Sequence, residues 1–139
     1  RIPFIVSWSG KIKPATSSAL VSQIDLFGTM AQLTGEAIPE YAATDSYNSL
    51  DTWLGKKSKD RDFVIQQSVS GTLSVVSGTW KYITPGKAER VNRNTNIELG
   101  HDTIPQLYNL TKDVGERSNI ASEYPEKVNE LSLILKSLK

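Results

Sequence analysis

The residues that could do chemistry gather in one long polar stretch, 85–105, where Asn92, Asn94, Glu98 and His101 stand among Lys87, Arg90, Arg93 and Asp102. His101 is the only histidine of the chain, and imidazole is the one side chain whose ordinary pKa lies near neutrality. It reads either as an exposed loop histidine or as a substrate contact, because ligand-touching side chains concentrate on loops held by a rigid scaffold. The basic side chains of the stretch read as a solvated face or as an anion contact, since guanidinium forks match the oxygens of sulfate and phosphate. Asp45 and Asp51 are near each other in sequence, but acid–base work needs pairing in space, and isolated aspartates favour caps and turns. Trp80 and Tyr82 flank Lys81; as large rings on a strand they favour a core position over a sugar-stacking platform. Asn109-Leu110-Thr111 matches a glycosylation sequon at a strand end, a weak signal alone.

Several chemistries are excluded outright. The chain has no cysteine, so it carries no disulfide framework, thiolate zinc site, iron–sulfur cluster or cysteine nucleophile. One histidine cannot build a multi-histidine metal centre, and no metal site is expected. There is no phosphate-binding P-loop, no dinucleotide fingerprint, no Gly-x-Ser-x-Gly elbow, no His-Glu-x-x-His and no EF-hand spacing. Lys and Arg number 16 against 15 Asp and Glu, a net charge of +1, which argues against nucleic acid as a partner. No apolar run approaches ~18 residues, so no membrane span is expected.

The elements that must position these residues follow from periodicity. The chain has 139 residues, 38% of them hydrophobic, the length of one domain with a real core. It opens on an apolar, β-branched run, Ile2–Trp8, read as a strand; with no initiator Met and no secretory leader, it reads as the continuation of a longer polypeptide. Residues 22–34 predict a helix with Ile24, Phe27 and Ala31 on one stripe and Leu26, Met30 and Leu33 on the next, expected to be buried. Ser22 is the expected cap, Asp25 suits the first turn, Gly28 costs about 1 kcal/mol or marks close packing, and Gly35 is a C′ residue. A helical turn over 49–54 should bury Leu50, Trp53 and Leu54 before Gly55. Strands are expected over 62–69, 72–77, 80–84 and 106–110. The tetrapeptide Val-Ser-Gly-Thr occurs at 69–72 and again at 76–79, which fits two tight hairpins of a β-meander. Pro125 suits the first turn of a final helix, with Val128, Leu131, Leu135 and Leu138 in register and Ile134 beside them. The fold class is α/β or α+β.

Several segments together resemble one family. Arg1-Ile2-Pro3-Phe4 through Trp8-Ser9-Gly10-Lys11-Ile12 is similar to a strand and tryptophan-proline-glycine turn of the type I, formylglycine-dependent sulfatases, with Ser9 in place of the proline. Val21–Met30 resembles the helix that follows, and Asp45-Ser46 through Leu54-Gly55 a short acidic and leucine-bearing stretch. Gly78-Thr79-Trp80-Lys81-Tyr82-Ile83 resembles a tryptophan-lysine-tyrosine strand. Gln106-Leu107-Tyr108-Asn109-Leu110, with Asp113, Gly115-Glu116 and Asn119-Ile120-Ala121, resembles the closing signature. The segments come in the family's order over nearly the whole chain. Many members carry an arginine two residues before the glycine of the tryptophan strand; Val76 stands there, so a substrate contact is missing or supplied elsewhere.

The resemblance implies the C-terminal portion of an arylsulfatase-like hydrolase of the alkaline phosphatase superfamily. Residues 1–60 would be the end of the catalytic α/β domain, with its first strand and helix here. Residues 61–139 would be a C-terminal subdomain: a small antiparallel four-stranded sheet packed against a helix, closing one wall of the substrate pocket. The parent would hydrolyse sulfate esters of a sulfated carbohydrate or an aryl compound, using calcium and a formylglycine made within a Cys/Ser-x-Pro-x-Arg motif. That motif and the metal and sulfate ligands are absent from these residues, so no catalytic residue is assigned and this polypeptide alone is expected to be inactive. Asn92, Asn94, Glu98 and His101 are the implied substrate contacts. The implied partners are the N-terminal catalytic domain of the same chain and a sulfated small molecule or glycan. Left alone, the piece would expose apolar surface and could dimerise through it. A periplasmic or secreted location is implied by the family only. A related phosphodiesterase and a free-standing sulfated-glycan-binding module are the alternatives.

Overall fold

A computed structural model describes residues 3–137. The chain forms two compact units, Arg1–Asp62 and Phe63–Lys139.

The first unit contains two helices, α1 (Asp25–Thr34) and α2 (Leu50–Trp53), joined by irregular chain. The strand expected over 2–8 is not there: residues 3–8 have no regular structure, and Arg1 and Ile2 lie outside the described residues. A strand exists only against a neighbour that takes its hydrogen bonds, and among the described residues this unit has no other strand. Phe4 instead meets Trp53 of α2, ring centroids 5.1 Å apart.

The expected face of α1 is inverted. Its buried residues are Asp25, Gly28 and Thr29, whereas Leu26, Phe27, Met30 and Leu33 are exposed, Phe27 by 56%. The buried side is polar because it is strapped by hydrogen bonds to residues 45–49. The Asp25 carboxylate accepts from the backbone N–H of Ser22 (3.0 Å) and Tyr47 (2.9 Å). It also takes both Arg61 Nε, at 2.8 Å, and Arg61 Nη2. Arg61 Nη2 donates in addition to the Asp45 carbonyl at 2.8 Å, and the guanidinium lies over the Tyr47 ring, 4.0 Å from its centroid. Gly28 N–H donates to Ser46 Oγ (2.9 Å), and Ser49 N–H donates to Thr29 Oγ1 (2.9 Å).

These bonds explain the local sequence. A Cβ on Gly28 would stand 2.8 Å from Ser46 Oγ, so close packing is what this glycine permits. The helix begins at Asp25 rather than Ser22, and the Ser22 side chain caps nothing: Asp25 reaches back to the Ser22 backbone instead. Gly35 ends the helix at φ 77° with its N–H on the Ala31 carbonyl, the left-handed ending that favours glycine. In α2, Ser49 and Thr52 are buried, while Leu50, Trp53 and Leu54 are only half-buried, less than their apolar character suggested.

The second unit is a four-stranded antiparallel meander, β1 (Phe63–Gln67), β2 (Leu73–Ser77), β3 (Trp80–Ile83) and β6 (Gln106–Asn109), in that spatial order, with helix α3 (Pro125–Lys136). Each expected strand is present, shortened by a residue or two at its ends. Both Val-Ser-Gly-Thr copies are hairpin turns, with Gly71 at φ 85° and Gly78 at φ 55°. The register alternates two faces. One row, Val75–Tyr82–Leu107, meets Leu131 and Leu135 of α3, with Val128 and Ile134 packed beside them. Leu138 lies outside the described residues. Trp80 joins this core and meets Tyr124 at 5.3 Å, and Tyr82 is buried, so both aromatics serve packing.

The opposite face carries Gln66, Ser74 and Ile83 in one row and Val76, Lys81 and Tyr108 in the next. Val76 packs against Ile83, Tyr108 and Leu110. The stretch 85–105 is not all loop: β4 (Val91–Asn92) and β5 (Ile97–Glu98) form a two-stranded ribbon. Two-residue strands are too short for any alternation to announce them.

Leu131 is 1% exposed and Leu133 is 54% exposed. Leu131→Ala should therefore cost about 2–5 kcal/mol of stability, and Leu133→Ala within about 0.5 kcal/mol, both read by urea unfolding. In the first unit, burial by itself would raise the Asp25 pKa. The hydrogen bond from Arg61 and the N–H groups of Tyr47 and Ser22 outweigh it and hold the carboxyl below its ordinary 3.8. A lowered folded-state pKa stabilises above the unfolded value, and that contribution drains away as pH falls below about 4. Asp25→Asn leaves a buried guanidinium unmatched, so it should cost about 3–5 kcal/mol at pH 7 and flatten the acid dependence of stability. Unfolding curves at pH 7 and pH 3 on both proteins check this; an unchanged acid slope in Asp25→Asn contradicts it.

Candidate functional site

His101 sits at the end of the 85–105 stretch and is buried, only 7% exposed. Its neighbours come from the β1–β2 hairpin turn. Nε2 shares a hydrogen bond with Ser70 Oγ and Nδ1 with Thr72 Oγ1, each at 3.0 Å. The hydroxyls extend the network: Ser68 Oγ and Ser70 Oγ are 2.9 Å apart, and Thr72 N–H donates to Ser68 Oγ at 3.1 Å. A hydroxyl can donate or accept, so the turn satisfies either tautomer of the ring.

The turn holds this shape for local reasons. Ser68 N–H donates to the Thr72 carbonyl at 2.9 Å, and Gly71 takes the left-handed φ of 85°. Gly86 N–H donates to the Asp102 carbonyl at 2.7 Å, which closes the ends of the stretch on each other, and a Cβ on Gly86 would lie 2.6 Å from Thr72 Oγ1, so the stretch packs closely on the turn there. On the next strand Gln106 Nε2 donates to the Gly100 carbonyl (2.9 Å), and Tyr108 Oη donates to Gln106 Oε1 (2.7 Å). These two bonds tie the segment bearing His101 to β6.

The other expected site residues lie on the ribbon and are not gathered around the imidazole by any hydrogen bond. Asn92 uses its carboxamide oxygen to accept from the N–H groups of Asn94 (2.9 Å) and Thr95 (3.3 Å), closing the ribbon turn. Asn94 and Glu98 are exposed. Arg90 lies 3.6 Å from Asp102 and Arg93 2.8 Å from Glu89, so these guanidiniums are already paired with carboxylates. Asp51 faces Lys56 and Lys57 at 3.6 and 3.8 Å, and Asp45 supplies only its carbonyl, to Arg61, so the two aspartates make no acid–base pair. Asn109 accepts from the backbone N–H of Thr111 at 3.1 Å, a turn-forming role at the sequon.

Sequence reasoning missed Ser68, Ser70, Thr72 and Gln106. The signal was present in the first Val-Ser-Gly-Thr copy, which carries Ser70 and Thr72, but as turn chemistry it gave no hint that His101 would meet it.

Lys81 on the open sheet face pairs with Glu116, Nζ to Oε2 2.6 Å. Burial raises the Tyr108 pKa, and the carboxylates of Glu116, Glu98, Asp113 and Asp102 raise it further. The phenol is therefore a fixed neutral donor. In the following turn, the N–H groups of Ser118 and Arg117 lower the Asp113 pKa. Between the hairpin turn and the 99–101 segment the open face forms a concavity of about 240 Å³. Among the described residues no group of three or more His, Asp or Glu is placed to hold a metal ion.

A four-stranded antiparallel sheet backed by a C-terminal helix agrees with the fold that the sulfatase resemblance implies. No protein-family model matches the chain. Among curated proteins, N-acetylgalactosamine-6-O-sulfatase of Bacteroides thetaiotaomicron is 48% identical over the whole chain. Human arylsulfatase A is 27% identical over the whole chain. A solved sulfatase structure, described under the metabolism of multiple glycosaminoglycans by Bacteroides thetaiotaomicron, superposes with a TM-score of 0.88 at 45% identity, covering 94% of this chain and 27% of that one. The chain spans 27% and 30% of the lengths of these two curated relatives. Its relatives are sulfatases, and it corresponds to their C-terminal part.

The Gly86 contact tests the network. Gly86→Ala forces Thr72 Oγ1 away from His101 Nδ1, since the new methyl would sit 2.6 Å from that oxygen. The ring ¹⁵N signals of His101 should shift at Nδ1, and stability should fall by about 1–3 kcal/mol. Unmoved ring signals would show that Thr72 does not hold the imidazole.

Proposed function

We propose that this chain is the C-terminal part of a sulfatase that removes sulfate from a sulfated carbohydrate, with 6-O-sulfated N-acetylgalactosamine as the first substrate to test. The observation that carries this is the 48% identity, end to end, with a curated N-acetylgalactosamine-6-O-sulfatase. A sugar sulfate is favoured over a simple aryl sulfate because that relative is nearer than arylsulfatase A at 27%.

On this reading the chain supplies walls and contacts, and the reacting groups come from the rest of the parent. Asn94 and Glu98 offer exposed side chains to the sugar leaving group. Asn92 fixes the ribbon turn that presents them, and His101 fixes the segment behind them through Ser70 and Thr72. The calcium and formylglycine implied for the parent do not fit this chain: it has no Cys/Ser-x-Pro-x-Arg motif, and among the described residues no group of three or more His, Asp or Glu is placed to hold a metal ion. They would belong to other polypeptide.

The partner on this reading is the remainder of the same protein, roughly three quarters of the length of the relatives. It would cover the apolar face of α1, where Ile24, Leu26, Phe27 and Met30 are exposed together. A fully buried side chain of this kind contributes ~1.5–3 kcal/mol, so a sequence that keeps them on a stripe implies something that packs there.

Sulfate release by the full-length protein tests the reading. Release from 6-O-sulfated N-acetylgalactosamine is expected, at a higher kcat/KM than from 4-nitrophenyl sulfate, with none from residues 1–139 alone. Absence of sulfate release from every sulfated sugar and aryl sulfate, or turnover by residues 1–139 unaided, overturns it.

A further inference from the structure

We infer that the concavity on the open face of the sheet is a subsite for an uncharged sugar ring, a part of the substrate beyond the sulfated residue. The inference rests on the carbohydrate reading above and names what this face binds.

The chemistry of the lining selects the ligand. The sheet register sets Gln66 beside Ser74 and Ser74 beside Ile83, so an amide, a hydroxyl and an apolar side chain stand in one row. The hairpin turn adds the hydroxyl of Thr72, held by His101, at the rim. Amides and hydroxyls each donate and accept, which matches the vicinal hydroxyls and acetamido group of an amino sugar. Leu99, 45% exposed in the same lining, gives the C–H face of a ring an apolar surface.

Charge decides between an anionic and a neutral ligand. Lys81 is the only Lys or Arg among the described residues that line the concavity, and it pairs with Glu116 at 2.6 Å. Its side chain is 19% exposed and that of Glu116 28%, so the pair is partly shielded, and its positive charge is already matched. A sulfate entering here would meet a compensated cation and a carboxylate. A neutral polyol meets only hydrogen-bonding partners. His101 has both ring nitrogens engaged, so it acts as a positioning residue that aims the turn hydroxyls.

The test uses the full-length protein and unsulfated N-acetylgalactosamine as probe. The double variant Gln66→Ala/Ser74→Ala should weaken binding of the probe, read by isothermal titration, about tenfold. It should raise KM for a sulfated oligosaccharide by a similar factor and leave kcat as it was. His101→Ala should also raise KM, and His101→Gln, which keeps a hydrogen-bonding amide, should restore most of the loss. Probe binding unchanged in the double variant overturns the inference, as does a variant that lowers kcat without moving KM. A wild-type protein that hydrolyses no sulfate ester but binds the probe through Gln66 and Ser74 sinks the sulfatase reading and leaves the subsite standing.

Discussion

The first unit is organised by one buried ion pair. Asp25 is 0% exposed and Arg61 8%, and charges so deeply buried persist only when paired and hydrogen-bonded. The pair is satisfied on both sides: Asp25 takes two backbone N–H groups besides the guanidinium, and Arg61 reaches the Asp45 carbonyl and lies over Tyr47. The consequence is directional. Asp25 lies on the polar side of α1, so burying it turns that side inward and turns the apolar stripe outward. Ser46 on Gly28 and Thr29 on Ser49 repeat the same sense one turn at a time. An amphipathic helix that buries its polar side is stable only where a network fixes that side, and this one does.

The second unit divides its work between the two faces of one sheet. Val75, Tyr82 and Leu107 meet α3 and form the core. On the other face several polar groups are paired: Lys81 with Glu116, and Tyr108 with Gln106 and, through it, Gly100. Each bond on that face also fixes a loop. Asn119 does the same at the edge: its Oδ1 accepts from the N–H of Leu107 at 3.0 Å, and its Nδ2 donates to the Pro105 carbonyl at 3.0 Å. In the segment that resembles a sulfatase closing signature, Gln106, Tyr108 and Asn119 hold the stretch that carries His101.

The meander was legible because its signals are local. Alternation over 73–77 and 80–83, glycines in the turns and Pro125 at the start of α3 depend on neighbours in sequence, and each element is found within a residue or two. The fate of α1 was not legible in the same way. Periodicity found the stripe of Phe27, Met30 and their neighbours, but which side is covered depends on Arg61, 36 residues from Asp25. The strand over 2–8 failed for a related reason, since β propensity cannot supply a partner strand. In the candidate site His101 was singled out for its chemistry alone. Its two hydroxyl partners lie 31 and 29 residues away, and nothing in a turn tetrapeptide announces such a contact.

On the proposed reading, the exposed apolar side of α1 packs against the remainder of a longer sulfatase. Met30 lies on that side, 40% exposed, and is the only methionine of the 139 residues. Hydroxyl-radical footprinting, with the Met30 peptide resolved by mass spectrometry, reports its access to solvent directly. The account predicts fast oxidation of Met30 in residues 1–139 alone and strong protection in the full-length protein. Equal oxidation rates in the two would contradict it.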